Sequence, residues 1–129
     1  MNTEHLVAFG KAMAQGDIDT AFSHASERVE LFSPIFEEPF VGKAEVIRAM
    51  TAVKSVLSSS ERKGVIRGED RIAQFGTSTI GDVTGDSIEM IELDARGLIA
   101  RITVFWRPLP LAVAGQAKLA TLLQRRPVI

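Results

Sequence analysis

The chain has 129 residues, the length of one domain, and its 46% hydrophobic and 24% charged residues give a soluble globular balance that needs no metal or disulfide staple. It has no cysteine, which excludes thiol nucleophiles, thiolate metal sites and a disulfide framework. A formal net charge of −1 without a basic block (Arg125-Arg126 is too short) leaves no electrostatic footprint for nucleic acid.

The opening MNTEHLVAFG has no basic stretch followed by an apolar run. No segment is long and apolar enough to span a bilayer, so the expected location is the cytoplasm, with no membrane partner. Leu6, Phe9 and Met13 recur at helical spacing and mark a first helix. Gly16 stops it. Asp17 is placed to cap a second helix, with Ile18, Ala21, Phe22 and Ala25 as its apolar side. The period then changes: Val29, Leu31 and Ser33 alternate with Glu30 and Phe32, so a strand runs into Pro34. A loop with Pro34, Pro39 and Gly42 follows. Val46, Ile47, Met50, Val53 and Leu57 share one face of a third helix, which the Ser58-Ser59-Ser60 run ends.

The second half reads as strands near residues 61–68, 71–80, 83–94 and 97–107. Turn residues separate them at Gly68-Glu69-Asp70, Gly81-Asp82 and Asp94-Ala95-Arg96-Gly97. Turns this short force antiparallel neighbours. On the last strand Leu98, Ala100, Ile102, Val104 and Trp106 form an apolar face, and Ile99, Arg101, Thr103, Phe105 and Arg107 a mixed one. Residues 111–124 suit a final apolar helix. Helices first and an antiparallel sheet after predict an α+β fold with helices on one sheet face. The mixed face then needs its own cover, and a homodimer through the sheet is the simplest one.

This order of elements resembles the nuclear transport factor 2-like superfamily, in particular its SnoaL-like branch. Three stretches carry the resemblance: AMAQGDIDTAFSHASERVELFSP, PFVGKAEVIRAM and IEMIELDARGLIARITVFWRPL. It implies one SnoaL-like domain over residues 1–129, a cone in which a curved antiparallel sheet wraps three N-terminal helices around an internal pocket. It implies no single activity, because members include isomerases, cyclases, hydrolases and proteins without catalysis.

The ketosteroid isomerase branch is similar in layout and carries a Tyr on the first helix, an Asp base before the Pro and a second Asp on the penultimate strand. These positions fall on Phe9, Ser33 and Glu89, so two of the three groups are lost. The epoxide hydrolase branch uses an Arg-Asp pair on a middle strand, where this chain reads RIAQFGTSTI, and a second Asp where Val104 stands. The polyketide cyclase branch asks only for one deep carboxylate. Glu89 fits that demand.

Glu89 has two readings. Facing the pocket beside Trp106 and Ile102, its carboxyl is pushed upward by desolvation and suits proton transfer. A register slip of one residue puts it on the outer face instead. Ser33 is either a hydrogen-bond partner in the site or a strand-end hydroxyl bonding backbone, and no base is placed to activate it. Gln74 either enters the pocket or faces water. Arg107 either anchors an acidic ligand or pairs with Glu37 or Glu38. Phe9, Met13, Phe36, Ile102, Val104 and Trp106 are expected as core and as the wall of the ligand pocket. His5 and His24 lack ligand spacing, so neither a metal nor another cofactor is expected. The leading expectation is a pocket for a small apolar carbonyl compound, with proton transfer by Glu89 and Ser33 beside it. The other is a non-catalytic module for ligand binding or dimerisation.

Overall fold

Helix α1 (Glu4–Ala14) ends where the sequence says it should. Gly16 takes φ +74°, and its N–H and that of Asp17 return to the carbonyls of Met13 and Ala12. Asp17 caps α2 (Ile18–Phe22) by accepting from the Thr20 N–H at 3.2 Å, which also holds its carboxyl below the usual value. These features belong to a computed structural model that describes residues 2–126.

Helix α2 is shorter than its apolar pattern predicts. Ala25 opens strand β1 (Ala25–Phe32), where it pairs with Ile99, and the Ile99 N–H donates to the His24 carbonyl. One turn of helix has few bonds of its own, so sheet pairing takes over the backbone groups that a longer helix would need. A short strand β2 (Phe40–Val41) precedes α3 (Lys43–Val56). The third helix ends just before the serine run, and β3 (Ser59–Arg67) begins within that run, two residues earlier than the pattern predicts. Strands β4 (Arg71–Ile80), β5 (Val83–Leu93) and β6 (Ile99–Arg107) follow, then α4 (Leu109–Leu123).

The sheet order is β2-β1-β6-β5-β4-β3. From β3 to β6 each neighbour is antiparallel, as the short turns require. Strand β1 joins β6 in parallel, so the sheet is mixed. Turn length does not govern that pair, because α3 and four strands lie between its members. The α+β cone stands, with one parallel seam. A bulge in β6 beside Leu93 makes Ala100 an extra residue. This turns Ile99 inward, where it is completely buried, rather than outward beside Arg101 and Phe105.

All four helices lie against one sheet face. Phe9 meets Phe22 edge-on at 5.3 Å, and Phe22, Val29, Phe40, Val46, Ile91 and Ile102 are almost wholly buried. Helix α4 contributes Leu111, Gly115, Leu119 and Leu123, one stripe at four-residue spacing. Its end is pinned from two sides. Arg48 of α3 donates to the Leu123 carbonyl, and Arg125 donates to the carbonyls of Glu38 and Pro39 while its guanidinium stacks 3.7 Å over Phe40.

Candidate functional site

The meander places side chains in rows across the helix-covered face. Gln74, Glu89 and Val104 stand opposite one another on β4, β5 and β6, and so do Gly76, Ser87 and Trp106. The next row, Ile72, Ile91 and Ile102, is sealed in the core. Above the sealed row lies a cavity of about 570 Å³, counting the part open to solvent. Val104 and Trp106 form its sheet wall, Met50 and Val53 of α3 and Leu119 and Leu123 of α4 its helical walls, and Ser33 and Phe36 its rim. Helix α4 therefore closes the cavity rather than leaving the molecule's surface.

Glu89 is the single acid among the residues lining this cavity. A second cavity reaches the same carboxylate from the β3 side, lined by Ser60, Arg62, Gln74 and Ser87 among others. Glu89 is thus deep within protein atoms yet accessible through two openings. Desolvation pushes its carboxyl above the ordinary glutamate value, with no hydrogen bond or neighbouring charge contributing. Gly76 lines this second cavity and lets the backbone of β3 come close, since any Cβ there would collide with the Glu61 carbonyl. Strand β3 also carries a bulge at Lys63, which re-aims Arg62 relative to Gly64.

The predicted residues divide. Glu89, Ser33, Phe36, Val104 and Trp106 meet around the first cavity. Gln74 shares the inward face with Glu89 and lines the second. Phe9, Met13 and Ile102 line neither. Helix α1 packs over α2 at that level, which makes Phe9 and Met13 core side chains, and Ile102 is completely buried. The Ser33 oxygen accepts from the Phe36 N–H at 2.9 Å and the Ile35 N–H at 3.3 Å, which ties the rim loop into a turn. Its own proton stays free to donate, and no described base contacts it. Arg107 neither enters the site nor pairs with Glu37 or Glu38; it stands opposite Asp86 on the outer face and binds it at 2.7 Å.

Several lining residues escape sequence reasoning. Ser87 was within reach, since it lies two positions from Glu89 on one strand. Ser78, Arg62, Leu119 and Leu123 depend on strand register and helix docking. The two histidines meet unexpectedly: His5 Nδ1 and His24 Nδ1 are 3.0 Å apart and form a partly buried hydrogen bond. Among the described residues, no group of three or more His, Asp or Glu side chains is arranged to hold a metal, and no helix is long and apolar enough to cross a membrane.

No protein-family model matches this sequence, and no curated relative does. Solved structures do. A cystatin-like-fold protein from Silicibacter pomeroyi, described as uncharacterized, superposes with a TM-score of 0.86 at 18% identity, covering 95% of this chain and 86% of its own. A steroid delta-isomerase from Pseudomonas aeruginosa also gives 0.86 at 18% identity, over 93% of this chain and 89% of its own. TerC, co-crystallized with polyporic acid, gives 0.68 at 19% identity, over 88% and 96%. The chain has the cystatin-like fold that nuclear transport factor 2-like proteins share.

Proposed function

We propose that this protein holds a small apolar carbonyl compound between Trp106, Val104 and Phe36 and moves a proton on it with Glu89, in the manner of an isomerase or cyclase. One observation carries this reading: Glu89 is a desolvated carboxyl with no hydrogen-bond partner among the described residues, open to a mostly apolar cavity. Such a group is spare for structure and suited to general acid–base work. Its carboxylate takes the proton from a carbon next to the ligand's carbonyl. The electron pair moves onto the oxygen, which gains hydrogen bonds from Ser33 or Gln74, and Glu89 returns the proton to the same framework. A structural neighbour named as a steroid delta-isomerase agrees with an isomerase-like reading.

The thin polar lining favours a second reading, in which the cavity binds its ligand without turnover. Native mass spectrometry of the purified protein identifies the ligand, and solvent deuterium uptake into it separates the two. Exchange in the wild type that is lost in Glu89→Gln supports catalysis. Retention of the ligand by both proteins without exchange supports binding alone.

The outer sheet face supports a homodimer. Phe75, Ile88 and Phe105 stand in one cross-strand row, and Ile66, Ala73 and Met90 in the next. Phe105 is 51% and Ile66 64% exposed. Ion pairs border the apolar rows, Asp86 with Arg107 on one side and Glu92 with Arg71 and Glu30 with Arg101 on the other. An apolar centre with a charged rim is the anatomy of a contact between copies.

A further inference from the structure

We propose that the ligand carries a carboxylate, and that the groove between α1 and β3 receives it on Arg62, Arg67 and Lys11. This rests on the reading of Glu89 given above and specifies the ligand class. The groove runs from α1, which contributes Val7, Gly10 and Lys11, to β3, which contributes Arg62 and Arg67, with Gln74 at its inner end. It contains three cations and no acid.

None of the three cations has an acidic partner among the described residues, whereas Lys43, Arg48, Arg71, Arg101 and Arg107 are each ion-paired. Unpaired like charges brought to one groove repel one another, and an anion placed among them removes that cost. Arginine suits a carboxylate in particular, because its planar fork can bind both oxygens.

A second feature points the same way. Gly10 sits in the middle of α1, where glycine costs about 1 kcal/mol relative to alanine. A Cβ there would meet nothing within 4 Å, so packing does not require the glycine. It leaves bare helix backbone along the groove and widens it. The groove also joins the Glu89 site: Arg62 and Gln74 line both the groove and the cavity that reaches Glu89. A ligand whose carbonyl end lies at Glu89 passes Gln74 and brings its far end to the cations.

The test compares 5-benzoylpentanoate with 5-benzoylpentanamide, aryl ketones of one shape that differ in charge at the end far from the ketone. Binding is followed by calorimetry and by the emission of Trp106, the single tryptophan of the chain. The acid is expected to bind about tenfold more tightly than the amide, the scale of one charge-assisted pair. That advantage should shrink with added salt, since the cations are exposed. The double variant Lys11→Gln/Arg67→Gln should lose most of it and leave the amide's affinity unchanged; both side chains are exposed and line the groove but neither cavity at Glu89. Equal affinities, or an advantage that survives the double substitution, overturn the carboxylate and leave the Glu89 reading standing. Failure of both molecules to bind overturns the two readings together.

Discussion

Gly115 of α4 lies against the indole of Trp106, so closely that a Cβ at position 115 would stand 2.7 Å from the ring and 3.4 Å from Ile80. The last helix and the last strand therefore approach to a distance that only glycine permits, and this contact sets the position of the cavity's aromatic wall. Gly115→Ala gains helix propensity of about 1 kcal/mol but overpacks the contact by about 1–3 kcal/mol. A net loss of stability is expected, with a shift in Trp106 emission as the ring turns away. Thermal unfolding and fluorescence check it; an unchanged spectrum with a higher melting temperature contradicts it.

Glu89→Gln should lower turnover of the natural ligand by about 10²–10⁴-fold, the range of a general acid–base group. Its effect on stability has the opposite sign. Burial raises the folded-state carboxyl above the ordinary glutamate value of 4.5, so at intermediate pH the folded protein holds a proton that the unfolded chain has released. Stability of the wild type therefore falls as pH rises from the ordinary value through the raised one, then levels off. The glutamine variant lacks this fall. The two proteins should be similar in acid and the variant more stable at neutral pH, as denaturant titrations at several pH values will measure.

Phe105→Asp places a charge in the centre of the outer apolar rows, beside Ile88. Sedimentation should find the wild type dimeric and the variant monomeric, with a dissociation constant raised by about 30-fold or more, the effect of losing a central contact of about 2 kcal/mol. Circular dichroism should not change, because Phe105 is exposed in the single chain. A wild type that sediments as a monomer at micromolar concentration removes the dimer.

Arg125 ties the end of α4 to the rim loop through two carbonyls and the face of Phe40. Arg125→Ala should cost about 1–3 kcal/mol through the lost charge-assisted bonds and speed proteolysis between Ser33 and Pro39. Arg125→Lys should restore little, since an ammonium cannot form both bonds and stack at once. Equal protection of all three proteins would show that the loop does not depend on this clamp.

Local patterns carried much of the fold. The break at Gly16, the Asp17 cap, the faces of α1 and α3 and the hairpins were legible because caps, turns and periodicity act over a few residues. The parity that puts Ser87, Glu89 and Ile91 on one face of β5 was legible for the same reason. The side of the sheet to which that face belongs was not, because one register step reverses it and register is settled by neighbours.

Tertiary structure decided the rest. The parallel seam of β1 with β6, the early end of α2 at Phe22 and the inward turn of Ile99 all follow from pairing between segments far apart in the chain. Phe9 and Met13 became core, and Leu119 and Leu123 became cavity wall, when α1 docked on α2 and α4 on the sheet. Residue type and spacing fixed which side chains share a face, because backbone geometry repeats locally. Only packing could determine what each face meets, because burial is a property of surfaces brought together from distant parts of the chain.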